Sequence, residues 1–80
     1  MEIFVRYFAR LREQMGVSHE TVELEEGATV ATLVEMVSRR HDVDIESFPL
    51  LFSVNCAYSD ESAILSDGDE VGMLYPASGG

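Results

Sequence analysis

Residues 65–80 read LSDGDEVGMLYPASGG. The stretch opens with a turn: Gly68 supplies a positive φ, and Asp67 and Asp69 flank it with carboxylates that cap free backbone amides. EVGMLYP then alternates with the period of a strand, Val71 and Met73 to one side, Gly72 and Leu74 to the other. Such a strand, apolar on both sides, belongs inside a sheet and needs a neighbour of the same kind.

That neighbour is EIFVRYF, residues 2–8. Ile3, Val5 and Tyr7 alternate with Phe4, Arg6 and Phe8, and the aromatic and β-branched content favours a strand. The two strands are therefore expected side by side in the middle of the sheet. Between them, ARLREQMG is built of helix formers, with Leu11 and Met15 at i, i+4 and Gly16 placed to end a short helix. ETVELEEGAT reads as a strand with Val22 and Leu24 inward and a turn at Glu26-Gly27, antiparallel to the first strand. TVATLVEMVSRRHD is the main helix. Thr29 is its N-cap, Val30, Leu33, Val34 and Val37 form one apolar stripe, and Arg39, Arg40 and His41 complement the carbonyl end of the dipole. DVDIESFPL is a linker, LLFSVNCA a strand, and YSDESAIL a loop with a short strand at its end. The order β, short α, β, α, β, (β), β predicts an α+β domain, a mixed sheet of four to five strands packed on one main helix.

The chain has 80 residues, enough for one domain. The expected division is a domain over 1–75 and a flexible tail over 76–80. The formal charge is −10, all basic residues are arginine, and there is no lysine. Beyond His41 every charged residue is acidic. Such a surface repels phosphate backbones, so nucleic acid is not an expected partner. It suits docking on basic protein surfaces; solubility, or life in a salty cytoplasm, is the plainer reason. No stretch is long and apolar enough to span a bilayer, and MEIFVRYF lacks a basic signal-peptide start, so a cytoplasmic protein without membrane contact is expected. The single cysteine, Cys56, makes no internal disulfide or zinc cluster and reads as a half-buried small residue near a strand end.

Resident chemistry is sparse. His19 and His41 stand without a ligand partner at metal spacing, and each reads as a surface or helix-end residue. Asp42, Asp44 and Glu46 alternate but lack the mid-loop glycine of a calcium site. No nucleophile–base set is suggested, and neither a metal site nor a bound cofactor is expected. What remains is the terminal carboxylate of Gly80. A carboxylate is inert until activated, for instance as an acyl-adenylate, and a Gly-Gly end has no Cβ to block a narrow channel. Pro76 stiffens the exit of the tail. At its base, Phe4, Phe8, Gly72 and Leu74 share the outward side of the two central strands and form a candidate docking patch.

VRYFARLREQMG, LLFSVN and LSDGDEVGMLYPASGG together resemble the small, ubiquitin-like subunit of molybdopterin synthase. The DGDEV turn and strand, an apolar pair, proline and terminal Gly-Gly are the specific part, although the family commonly has two prolines before the tail and Tyr75-Pro76 keeps only the second. The resemblance implies a β-grasp fold and a sulfur carrier. An activating enzyme of the ubiquitin-activating type uses ATP to adenylate Gly80, a sulfur donor makes the thiocarboxylate, and the tail enters the large catalytic subunit of a heterotetramer. Sulfur then passes to a cyclic pyranopterin phosphate in molybdenum or tungsten cofactor synthesis. By position, Gly80 carries the sulfur; Pro76, Ala77, Ser78 and Gly79 form the inserted tail, Gly79 lining the tunnel; Phe8 and Leu74 meet the large subunit. Three rival readings share the features. A sulfur carrier for thiamine thiazole synthesis is expected to be shorter, without FARLREQMG. A ubiquitin-like modifier would join its terminus to lysines. A plain interaction domain would have an idle tail.

Overall fold

The computed structural model describes residues 1–76. Its elements are β1 (Glu2–Tyr7), α1 (Ala9–Met15), β2 (His19–Glu23), α2 (Val30–His41), β3 (Leu51–Val54), β4 (Ala57–Ser59) and β5 (Glu70–Leu74). The five strands form one sheet in the order β2-β1-β5-β3-β4. β1 and β5 are parallel and central, with Val5 opposite Val71 and Tyr7 opposite Met73. The other pairings, β1 with β2 and β3 with both β5 and β4, are antiparallel.

Alternation decides which way the sheet faces. Ile3, Val5, Tyr7, Val22, Phe52, Val71 and Met73 are buried on one side, where they meet Leu11 and Met15 of α1 and Val30, Leu33, Val34 and Val37 of α2 in a single core. Both helices therefore lie on the same face. α2 begins at Thr29, whose hydroxyl accepts from the Thr32 amide, and ends at Asp42 with φ 54°. Gly16 closes α1 at φ 79°, the left-handed cap its sequence position predicts. The segment after α2 is more than a linker. Ile45 is fully buried, and the Ser38 hydroxyl donates to the Val43 carbonyl at 2.5 Å, turning the chain back onto the core.

The DGD turn holds the parallel pair in register. Asp67 accepts from the Glu2 amide at 2.6 Å, the Gly68 amide donates to the Glu2 carbonyl at 2.8 Å, and the Phe4 amide donates to the Asp69 carbonyl at 2.9 Å. Asp69 also accepts from the Asn55 side chain at 2.9 Å, which ties the β3–β4 hairpin to the same knot. Parallel strands leave many such groups to satisfy at their ends, and here one short turn takes them up.

Two expectations need correction. The fourth strand spans Ala57–Ser59, from the last residue of LLFSVNCA into YSDESAIL, and near the end of YSDESAIL there is only an isolated bridge between Ile64 and Thr29. Cys56 is exposed rather than half-buried. Both follow from one two-residue hairpin, in which Asn55 and Cys56 have φ of 51° and 71°. A type I′ turn demands positive φ at both positions and matches the twist of the flanking strands.

Candidate functional site: the open sheet face and the root of the tail

No described element covers the outward face of the sheet. Arg6 of β1, Gly72 of β5, Ser53 of β3 and Tyr58 of β4 are register partners in one row across it. Toward the C-terminal end of the parallel pair, Leu74 stands opposite Leu51, and the Phe8 amide donates to the Met73 carbonyl at 3.2 Å. Phe4, Phe8 and Leu51 are each about two-fifths exposed and Tyr58 is 81 % exposed. Phe8, Leu74 and Leu51 gather at one end of this face and Phe4 lies beyond Arg6 toward the other, exposed apolar surface of the kind that a partner covers.

Phe4, Phe8 and Leu74 lie on this face as their alternation predicts. Gly72 is on it too, but buried. A Cβ there would come within 3.1 Å of the Phe8 ring and 2.6 Å of the Ser53 hydroxyl. The missing side chain lets the Phe8 ring approach the β5 backbone closely, which sets the shape of the patch. Leu51 and Tyr58 extend the patch beyond the expected residues. Leu51 alternates with the inward Phe52, so its direction was readable; Tyr58 required knowledge of the β3–β4 pairing.

β1 and β5 run the same way, so the tail leaves from the end of the sheet where Phe8 sits. Its root is held by Tyr75. The Tyr75 ring meets Phe48 edge to face, with centroids 5.7 Å apart, and its hydroxyl is hydrogen-bonded to Gln14. Ala9, Arg10, Gln14, Phe48, Pro49, Tyr75 and Pro76 line a groove of about 770 Å³ beside this anchor. Pro76 is the last described residue; Ala77, Ser78, Gly79 and Gly80 lie outside the described residues.

One polar cluster was not legible in advance. Glu20 accepts from the Tyr7 hydroxyl at 2.6 Å and from Arg40 at 2.7 Å, and its carboxylate lies 2.6 Å from His41 Nε2. His41 is thus not a solitary helix-end residue: it joins the end of α2 to β2. Burial opposes ionisation of Glu20, but the hydrogen bonds from Tyr7, Arg40 and His41 outweigh it and hold the carboxyl below its ordinary value. Burial, then the bond to Glu20, pushes the Tyr7 phenol upward. A depressed carboxyl pKa means stability that is present above the unfolded value near 4.5 and lost as pH falls through the folded value. Glu20→Gln should therefore cost about 1.5–3 kcal/mol at neutral pH, the range for hydrogen bonds to a charged group. Urea unfolding of the two proteins from pH 7 to pH 3 should show that difference shrinking as pH falls below the ordinary carboxyl range. A constant difference would remove the assignment.

Against this geometry, a model of the ThiS family matches residues 5–80. The chain belongs to the ThiS family. Among relatives of this ThiS-family chain, a Chlamydomonas reinhardtii molybdopterin synthase sulfur carrier subunit is 37% identical over 83 residues, covering 100% of both chains. A solved Pyrococcus furiosus structure, described as subunit 1 of a molybdopterin converting factor, superimposes with a TM-score of 0.85 at 34% identity, covering 96% of this chain and 99% of that one. A Helicobacter pylori structure titled as a complex of subunits 1 and 2 of molybdopterin-converting factor has a chain of the same fold, with a TM-score of 0.70, 18% identity and 100% of both chains covered. The architecture is the ubiquitin-like β-grasp. Among the described residues no helix is long and apolar enough to cross a membrane.

Proposed function

We propose that this ThiS-family chain is the sulfur carrier subunit of a molybdopterin synthase, with the Gly80 carboxylate as its reactive group. The observation that carries the reading is spatial. Phe8, Leu74 and Leu51 of the open face lie at the end of the sheet from which the tail leaves, so one docking event positions both.

The chemistry is divided between partners. On an ATP-dependent activating enzyme, a carboxylate oxygen of Gly80 attacks the α-phosphorus of ATP and pyrophosphate leaves. Sulfide-level sulfur delivered by a donor as hydrosulfide then attacks the acyl carbon, AMP departs with the bonding electron pair, the sulfur's proton passes to water, and a thiocarboxylate remains. In the large subunit the thiocarboxylate sulfur bonds to a carbon of a cyclic pyranopterin phosphate, water attacks the acyl carbon, the acyl carbon–sulfur bond breaks, and the carrier returns as a carboxylate. This chain supplies no acid or base to these steps. It supplies the acyl group, a fixed exit direction through Tyr75 and Pro76, and a surface that recognises the partner. Residues 1–75 act as the domain and 76–80 as the inserted tail, with Gly79 in the narrowest part of the channel because it lacks a Cβ. Phe8 and Leu74, with Phe4 and the small Gly72 between them, pack on the large subunit of a heterotetramer. The ATP-dependent supply of the activated carrier places the cycle in the cytoplasm.

Intact mass after incubation with ATP, the activating enzyme and a sulfur source tests the proposal. Exchange of one oxygen for sulfur, mapped to Gly80, is the expected result. An unchanged mass, with an activating enzyme shown to be competent on another carrier, would overturn it.

A further inference from the structure

We infer that this chain is an acyl donor that cannot serve as an acyl acceptor: once Gly80 is activated, no amine of the same chain, or of a second copy, captures it. The inference rests on the sulfur-carrier reading above, because it concerns what becomes of the activated end.

An acyl-adenylate is consumed when an amine nitrogen attacks its carbonyl carbon. The C–N bond forms, the bond to the AMP oxygen breaks, AMP leaves with the electron pair, and water takes the amine proton. The product is an amide, and the carrier is spent. The abundant amine on a protein surface is lysine. All five basic residues here are arginine. A guanidinium keeps its proton at any working pH and offers no free lone pair to the carbonyl. The chain thus keeps its cations and removes the nucleophile.

Within residues 1–80 one primary amine remains, the α-amino group of Met1, and the fold restrains it in two ways. It donates a hydrogen bond to the Leu24 carbonyl at 2.6 Å in a partly buried position. The Met1 side chain also packs against the core, so freeing the amine means detaching the start of β1. It also lies at the wrong end of the sheet. Met1 precedes β1, while the tail leaves after β5, and those strands are parallel with Tyr7 beside Met73. The run from Met1 to Tyr7 alone covers about 20 Å at roughly 3.3 Å per residue. The residues beyond Pro76 span at most about 14 Å when fully extended. The activated end of one molecule therefore cannot reach its own N-terminus.

The activated carrier consequently persists until a sulfur donor or an external acceptor meets it. Any transfer to an amine of another protein would stop at a single unit, because the attached copy offers no lysine for the next and its one amine is tied to the Leu24 carbonyl.

Lysines that keep the charge test this directly. Arg39→Lys places an amine on a side chain that is 79% exposed and preserves its i,i+4 pairing with Glu35. Arg10→Lys places one in the groove beside Tyr75 and Pro76. Each protein is incubated with ATP and the activating enzyme, without a sulfur donor, and pyrophosphate release and intact mass are followed together. With comparable pyrophosphate release throughout, wild type should stay a monomer that carries only the added AMP or, after hydrolysis, its original mass. Arg39→Lys should accumulate amide-linked dimers, and Arg10→Lys should give a monomer lighter by one water, the internal amide. Amide-linked wild type would overturn the inference, and so would lysine variants that are activated yet never linked. Absence of pyrophosphate release from wild type would instead overturn the sulfur-carrier reading on which this one rests. A parallel arm with the Gly80 end supplied as a synthetic thioester needs no activating enzyme and reads the same amide products.

Discussion

Deleting Gly80 should leave the fold and its melting temperature unchanged and reduce sulfur transfer by more than about 100-fold. The stability half follows from where the core ends. Among the described residues, Tyr75 is the last packed against it, held by Phe48 and Gln14. The described hydrogen bonds and apolar contacts of the sheet involve nothing beyond it. The activity half follows from chain geometry. Loss of one residue draws the terminal carboxylate back by roughly 3.3–3.6 Å. A misplacement of about 1 Å at a reacting centre already costs on the order of 100-fold, because alignment supplies much of the rate. Single-turnover sulfur transfer with the large subunit, alongside thermal melts of both chains, checks the two halves separately. Transfer by the shortened chain at near the wild-type rate would sink the mechanism. A fall in melting temperature would mean instead that the end of the chain is part of the packed domain.

How much of this was readable beforehand depends on the range of the interaction. The central parallel pair was legible because EIFVRYF and EVGMLYP are both apolar on two faces, and only a central position satisfies that. The apolar stripe of α2 and its Thr29 cap were legible because they repeat within one turn. β4 was not. Its hairpin turns on Asn55 and Cys56, and a cysteine at φ 71° carries none of the glycine signal that normally marks a type I′ turn. With the turn hidden, LLFSVNCA read as one strand, Cys56 was given a half-buried place, and Tyr58 fell into a loop. The Glu20 cluster was hidden for a different reason. His41 and Glu20 are 21 residues apart, and only the landing of α2 on β2 brings them together. Alternation marked Phe8 and Leu74 as outward, but the seat of the Phe8 ring over Gly72 depends on the parallel register.

The same seat supports a second large effect. Phe8→Asp should weaken binding to the large subunit by at least about 30-fold while leaving the isolated domain as stable as wild type or slightly more so. Phe8 is the N-cap of α1, with extended backbone at φ −119° and ψ 150°, and its side chain makes no capping hydrogen bond. Asp is among the preferred N-cap residues, and a cap bond is worth typically about 1 kcal/mol. What the fold loses is the contact of the ring with β5, and the ring is already two-fifths exposed. The two effects on stability are of similar size and opposite sign. Binding has no such compensation. An aromatic anchor at the centre of an interface contributes about 2–4 kcal/mol, which is roughly 30- to 1,000-fold in affinity, and a carboxylate in its place must also be desolvated without a partner. Calorimetric titration of the large subunit with each carrier, together with melts of the carriers alone, separates the two quantities. Unchanged affinity would place the docking surface elsewhere on the domain. Equal loss of affinity and stability would make Phe8 a structural residue; stability retained with affinity lost is the signature of a recognition residue built on the cap of a helix.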